Sequence, residues 1–266
     1  MQHTITFSGK KVALYEFGSA ENPTILLIHG NSVHAGFFRP LISNLENRYH
    51  LVTFDLPGCG ASEAWKKEEF TGENLARLCN SVLGYFGVTE CNAFGFSMGA
   101  FILLEILGLL PAVRKIAISG HPPLRSASDM QNAYLISEDS ALFLQGVLSD
   151  DEIKRLYEAV IGIREEEVSA AIMESVRQTD PSFREGSLNL AMQAGDQVAR
   201  LQSFKGETAI IHPADDKAVR ADYYESLPQG LVWNDTIQTI GNSGHFVIIE
   251  QPAELAKILD RFFTGN

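Results

Sequence analysis

Short apolar runs alternate with segments of helical periodicity along the first half of the chain. Apolar runs bounded by turn residues are typical of strands, and apolar residues at every third or fourth position are typical of helices. The predicted strands are Ile5–Phe7, Val12–Phe17, Thr24–Ile28, Leu51–Phe54, Cys91–Phe96 and Val113–Ser119. The predicted helices are Phe37–Leu45, Gly72–Phe86 and Met98–Leu109. This alternation indicates an α/β fold, with a mostly parallel sheet flanked by helices.

The alternation stops after His121-Pro122-Pro123, and from about Asp129 to Leu201 the pattern predicts helices only. Strand and helix patterns then resume, at Thr208–His212, Ala221–Leu227, Thr236–Ile240 and Pro252–Phe263. An insertion of helices inside an α/β domain is expected to cover the strand ends, where open sheets bind ligands. We therefore predict a core domain at 1–121 and 204–266 and a helical cap, or lid, at 122–203.

Composition narrows the class of protein. The formal net charge of −12 argues against a nucleic-acid partner or an anionic membrane surface. The longest apolar run, Phe101 to Leu110, is interrupted by Glu105 and falls short of the roughly 20 residues that span a bilayer. The N-terminus lacks a basic region followed by an apolar stretch, and the three cysteines form no pairing pattern. These features predict a cytoplasmic protein, a monomer or homodimer, with no metal or cofactor, since no metal-ligand or dinucleotide motif is present.

The segment Gly95–Gly99 reads Gly-Phe-Ser-Met-Gly and matches the pattern G-x-S-x-G between a predicted strand and a predicted helix. A sharp turn there leaves no room for side chains two residues on either side of the serine. The turn also places Ser97 at a helix N-terminus, where the dipole favours developing negative charge. We predict Ser97 as a nucleophile; the alternative is a tight turn with an incidental serine.

A serine nucleophile needs a base and an acid. His245 follows the last predicted strand and precedes the final helix, so the chain order serine, acid, histidine selects it among seven histidines. The acid should follow the strand Thr208–His212, where Asp215 and Asp216 are adjacent candidates. For the oxyanion hole we predict the backbone N–H of Met98, and that of Asn31, in the loop after the third strand. The side-chain amide of Asn31 is also available to a polar group of the substrate.

The motif around Ser97, together with His245, the candidate acids and the loop at Asn31, resembles the pattern of the α/β-hydrolase superfamily. The resemblance covers essentially the whole chain. The resemblance implies an eight-stranded sheet with an inserted cap. In relatives the segment that carries the catalytic acid reads His-Gly-x-x-Asp-x-x-Val. Aligning Pro213 with the glycine and Val219 with the valine places Asp216 at the aspartate. Asp215 would require a frame shifted by one residue. A serine at this turn sets the chain apart from haloalkane dehalogenases and epoxide hydrolases, which use aspartate.

A narrower resemblance is to the metal-independent N-acyl-homoserine lactone hydrolases. It is carried by His29–Ser32 followed by Phe38, by 118–123 and by 148–151. It implies that Asn31 and a cap tyrosine, for which Tyr157 is a candidate, contact a lactone, and that His121 alters the pocket. Those enzymes can carry glutamate where this chain has Asp216.

These observations predict a serine hydrolase of a small carboxylic ester or lactone, including N-acyl-homoserine lactones. Apolar cap residues such as Phe143 and Tyr157 would suit an acyl chain, or would form the core of the cap itself. Two alternatives share the fold and triad: a carbon–carbon bond hydrolase or cofactor-free perhydrolase, and a receptor that binds its ligand without turnover.

Overall fold

The computed structural model describes residues 1–135, 139, 142, 145–156, 158 and 166–265. Its strands are β1 Gln2–Phe7, β2 Lys10–Phe17, β3 Thr24–Ile28, β4 His50–Phe54, β5 Cys91–Phe96, β6 Val113–Ser119, β7 Thr208–Pro213 and β8 Gln238–Ile240. They form one eight-stranded sheet in the order β1-β2-β4-β3-β5-β6-β7-β8. β2 pairs antiparallel with β1 and β4, and the remaining pairs are parallel. The predicted α/β fold with a mostly parallel sheet is confirmed.

Helices cover both faces of this sheet. The α-helices are α1 Arg39–Leu45, α2 Gly72–Tyr85, α3 Met98–Ile106, α4 Met130–Ala133, α5 Asp150–Leu156, α6 Glu166–Gln178, α7 Pro181–Met192, α8 Gln197–Ser203, α9 Val247–Glu250 and α10 Pro252–Thr264. Along β3, Leu26 and Ile28 point into one apolar core, with α2, α3 and α8. Ile25 and Leu27 point into a second core, with α1 and α10. This double burial explains why the central strands are short, continuous apolar runs.

Short 3-10 helices account for most differences from the predicted elements. They are Ala35–Phe38, Lys67–Glu69, Leu107–Leu109, Ala127–Asp129, Ala221–Ser226 and Trp233–Asp235. The predicted helix from Met98 ends as an α-helix at Ile106, because Gly108 and Pro111 disfavour another α-helical turn. The helix predicted near Ala221–Leu227 is a 3-10 helix over Ala221–Ser226, and Pro228 ends it by disfavouring helical backbone in the residue before it.

The segment between β6 and β7 holds helices α4 to α8. Leu124, which follows β6, lies beside Gln197, the first residue of α8. There the N–H of Gln197 donates to the carbonyl of Leu124 at 2.8 Å, and the N–H of Leu124 donates to Gln197 Oε1 at 3.0 Å. The cap boundaries at 122 and 203 stay a prediction. Within the described ranges, the helices are all too short or too polar to cross a membrane.

Candidate active site

Ser97 occupies a strained turn between β5 and α3. Its backbone angles are φ 52° and ψ −117°, a conformation that residues other than glycine rarely adopt. A Cβ atom at Gly95 would lie 2.6 Å from the Cα of Ala100, and one at Gly99 would lie 2.0 Å from the carbonyl oxygen of Ile28. Both glycines are therefore required by close backbone approach. The turn presents the Ser97 hydroxyl beyond the carboxyl end of a central strand.

His245 lies against this hydroxyl, in the loop between β8 and α9. The Ser97 hydroxyl donates to His245 Nε2 at 3.0 Å. On the other side of the ring, His245 Nδ1–H faces both carboxylate oxygens of Asp216, at 3.0 and 3.1 Å. Three side chains that are far apart in sequence thus form one hydrogen-bonded chain.

The loop after β7 separates the two candidate acids. The Asp216 carboxylate is buried against His245 and accepts the backbone N–H of Ala218 at 2.7 Å and of Val219 at 3.2 Å. Asp215 is exposed to solvent. The structure therefore brings Asp216, and not its neighbour, to the histidine.

Burial and charge act in opposite directions on this pair. Burial by itself would lower the pKa of His245, but the charge of Asp216, the hydrogen bond to it and the charge of Glu250 together raise that pKa above its ordinary value. Burial by itself would raise the pKa of Asp216, but His245 and two backbone N–H groups hold it below its ordinary value. The arrangement thus favours an ionised carboxylate beside an imidazole that readily accepts a proton.

The loop after β3 lies beside Ser97. A Cβ atom at Gly30 would lie 3.1 Å from the ring of Phe96 and 3.2 Å from the Cβ of Ser97. Asn31, the next residue, is mostly buried. On the other side, Met98 is the first residue of α3, and N–H groups in a first helical turn have no acceptor within the helix. The two predicted oxyanion donors therefore belong to the residue after Ser97 and to the residue after Gly30, and their role stays a prediction.

His29 and Asp55 support these loops, in line with a structural role. His29 Nδ1–H donates to the carbonyl of Gly30 at 2.8 Å, and Nε2 accepts the N–H of Leu56 at 2.8 Å. Burial lowers the pKa of His29 to about 4, so the ring stays neutral. The Asp55 carboxylate accepts the backbone N–H of Ala35 at 2.8 Å and the hydroxyl of Tyr15 at 2.9 Å.

Of the residues predicted to contact the substrate in addition to Asn31, the structure describes His121 but not Phe143 or Tyr157. His121 is buried, with Nδ1 accepting the hydroxyl of Tyr134 and Nε2–H donating to Gln197 Oε1 at 2.9 Å. Both of its ring nitrogens thus bond to protein groups, and burial lowers its pKa to about 4. Phe143 and Tyr157 lie outside the described residues. Tyr134 and Gln197 were not among the predicted site residues, since neither belongs to a local motif.

Comparison with known proteins defines the class. The model of the α/β-hydrolase fold family matches residues 23–252, and the chain belongs to this family. It is 24% identical to the Bacillus subtilis hydrolase YugF, over 97% of this chain and 96% of that protein. It is 34% identical to the Saccharomyces cerevisiae hydrolase YNR064C, but that match spans only 35% of this chain and 32% of the yeast protein.

Two further similarities concern proteins of named activity. The chain is 30% identical to the pimeloyl-[acyl-carrier protein] methyl ester esterase of Xanthomonas oryzae, over 42% of each protein. The crystal structure of the N-acyl homoserine lactonase AidH complexed with N-butanoyl homoserine superposes with a TM-score of 0.90, covering 99% of this chain and 96% of that one at 24% identity. This structural similarity shows a shared fold.

Proposed function

We propose that the protein is a serine hydrolase that cleaves a carboxylic ester or lactone through an acyl-enzyme intermediate. The observation that carries the proposal is the hydrogen-bonded chain from the Ser97 hydroxyl through His245 to the buried Asp216 carboxylate. Serine becomes an effective nucleophile only when a positioned base accepts its proton. The strained turn that exposes the hydroxyl is further support, because strain of this kind is concentrated at functional sites.

The proposed reaction is acyl transfer to water. Ser97 Oγ attacks the carbonyl carbon while its proton passes to His245 Nε2, and Asp216 stabilises the imidazolium that forms. The backbone N–H groups of Met98 and Asn31 hold the negative oxygen of the tetrahedral intermediate. His245 then gives its proton to the leaving alcohol oxygen, which leaves an acyl group on Ser97. Water, activated by the same histidine, releases the acid.

For the substrate we propose a small acyl ester or lactone, with N-acyl-homoserine lactones as the first candidates. Support comes from the position of Asn31 directly after Gly30, which packs against Ser97, and from the fold shared with the lactonase AidH over nearly the full length of both chains. In a lactone the leaving alcohol stays attached to the acyl group, so water must reach the acyl-enzyme before the ring closes again. We further propose that 122–203 acts as a lid that admits substrate and water.

The test is a screen of p-nitrophenyl esters and N-acyl-homoserine lactones of graded chain length, with EDTA present throughout. We expect multiple turnovers by the wild-type protein, and stoichiometric labelling of Ser97 by a fluorophosphonate. Ser97→Ala should lower kcat by about 10⁴-fold or more. Ser81→Ala, on the exposed face of α2, is the matched control and should retain wild-type activity. Full turnover by Ser97→Ala, or ligand binding by the wild type without repeated release of acid, would contradict the proposal.

A further inference from the structure

Residues 133–135, at the end of α4, pair with residues 218–220, which follow the candidate acid Asp216. Tyr134 and Val219 form an antiparallel bridge. Two backbone hydrogen bonds flank this bridge: Leu135 N–H to the Ala218 carbonyl at 2.8 Å, and Arg220 N–H to the Ala133 carbonyl at 2.9 Å. The segment between β6 and β7 is thereby joined directly to the loop that carries the acid.

One peptide group connects this pairing to the acid. The carbonyl of Ala218 and the N–H of Val219 belong to the same planar trans peptide, so they point in opposite directions. The carbonyl accepts the N–H of Leu135, and the N–H donates to Asp216 Oδ1 at 3.2 Å. Fixing the carbonyl therefore also fixes the direction of the N–H, and a hydrogen bond at one end strengthens the bond at the other.

The carboxylate of Asp216 is held through this loop. Its Oδ1 also accepts the N–H of Ala218 at 2.7 Å, so two backbone donors meet one oxygen and restrict rotation of the group. Both carboxylate oxygens face His245 Nδ1, at 3.0 and 3.1 Å. The orientation of the proposed base thus depends on a carboxylate whose own donors lie in the paired loop.

The other side of the pairing is anchored to the core. The Tyr134 hydroxyl donates to His121 Nδ1, and His121 Nε2–H donates to Gln197 Oε1 at 2.9 Å. Gln197 Nε2 donates in turn to Glu105 Oε1 on α3 at 2.8 Å. A continuous chain of hydrogen bonds therefore connects α3 to Tyr134, and this chain gives the paired segment a fixed position.

We propose that the backbone N–H of Leu135 is a positioning group, which acts through the Ala218–Val219 peptide to hold the carboxylate of Asp216 against the base. The inference rests on the proposed hydrolase function and adds to it a positioning role for a segment outside the catalytic loops. Residues 133–135 stay in place during catalysis, so any movement of the proposed lid that admits substrate occurs in its other parts.

The first test removes the donor. Leu135→Pro lacks the N–H, and Tyr134 already has the extended backbone, φ −119° and ψ 151°, that suits a residue before proline. Leu135→Ala keeps the N–H and shortens a half-exposed side chain, so this matched control should stay within about twofold of the wild type. An ester in place of the Leu135 amide removes the N–H alone, and it tests the inference even if the proline variant does not fold.

We expect the proline and ester variants to lower kcat by about 10-fold, with KM changed less than about threefold, because Asp216 acts on the base and not on substrate binding. In an Asp216→Asn background, either change at Leu135 should lower kcat further by less than about twofold, since the group through which it acts has already lost its function. A merely structural contact would instead lower kcat by the same factor in both backgrounds.

Hydrogen exchange tests the pairing without reference to activity. The amides of Leu135 and Arg220 should exchange at least about 100-fold more slowly than in an unstructured peptide. This protection should be the same whether Ser97 is free or labelled by a fluorophosphonate, because the pairing stays in place.

Three results would overturn the inference: wild-type kcat in the ester variant, losses that multiply in the Asp216→Asn background, or an unprotected amide at Leu135. Failure of the proposed function is a separate result, in which wild-type protein neither turns over esters nor reacts with the fluorophosphonate at Ser97. If the wild type is active and labelled, only the positioning role is in question.

Discussion

Replacement of Asp216 by asparagine keeps the size of the side chain and removes its charge. In the structure Oδ1 accepts the N–H groups of Ala218 and Val219, so the amide oxygen of the variant should take that position. The amide NH₂ then takes the place of Oδ2, 3.0 Å from His245 Nδ1. The amide oxygen stays 3.1 Å from the same nitrogen, but the new donor at the shorter distance favours the ring tautomer that carries its proton on Nε2. In that tautomer it cannot accept the proton of the nucleophile.

The expected loss follows from this tautomer. A carboxylate that orients the base of a triad contributes about 10⁴-fold to kcat, or about 5 kcal/mol of transition-state stabilisation. The assay is steady-state hydrolysis of a p-nitrophenyl ester by Asp216→Asn and by Asp215→Asn, which makes the same change at the exposed neighbouring residue. Asp215→Asn should stay within about twofold of the wild type, as surface substitutions usually do.

The pH dependence of kcat/KM provides a second readout. His245 must be neutral to act as a base, so activity rises with pH through its pKa. Asp216 raises that pKa against the effect of burial. In Asp216→Asn burial remains and the opposing charge is gone, so the acid limb should move to lower pH. A variant that retains more than a tenth of wild-type activity, or a larger loss in Asp215→Asn, would refute the reasoning.

Two further predictions concern stability. Gly99→Ala places a Cβ 2.0 Å from the carbonyl oxygen of Ile28 and should lower the free energy of unfolding by at least about 3 kcal/mol, measured by urea unfolding. Gly108→Ala has open space around the new Cβ, so as the control it should leave this free energy nearly unchanged. The free energy of unfolding should fall as pH drops from 6.5 towards 4, because the unfolded state binds a proton that buried His121, with a pKa near 4, rejects. This residue accounts for up to about 3 kcal/mol of that fall. His121→Gln should flatten the pH dependence, and an unchanged slope would contradict this assignment.

Most of the fold was predictable because burial restricts which residue types a position can hold. A strand covered on both faces, such as β3, must be apolar at nearly every position, and steric crowding around Ser97 restricts Gly95 and Gly99 to glycine. Short 3-10 turns were less predictable, because their periodicity differs little from that of an α-helix over one turn. Their stability depends on neighbouring segments.

Side-chain partners at long range were the least predictable part of the site. Nothing in the local pattern distinguishes Asp216 from Asp215. Only alignment with the family's sequence pattern favours Asp216, which is the residue that the structure buries. His121 bonds to Gln197, 76 residues away. Arg184 bonds to Ser32, 152 residues away. Such contacts arise when separate elements pack together, and neither partner lies in a pattern that identifies the other.

The paired hydrogen bonds between Leu124 and Gln197 bear on how this architecture can diverge. They hold the two ends of residues 125–196 together, between the residues that follow β6 and the start of α8. For a flexible loop with fixed ends, doubling the length costs only about 0.6 kcal/mol of closure entropy. Insertions at exposed turns of this segment are therefore inexpensive, whereas 133–135 must keep their place, because their backbone bonds to 218–220 next to Asp216. The length of this segment can therefore vary in evolution while the loop that carries Asp216 keeps its contacts.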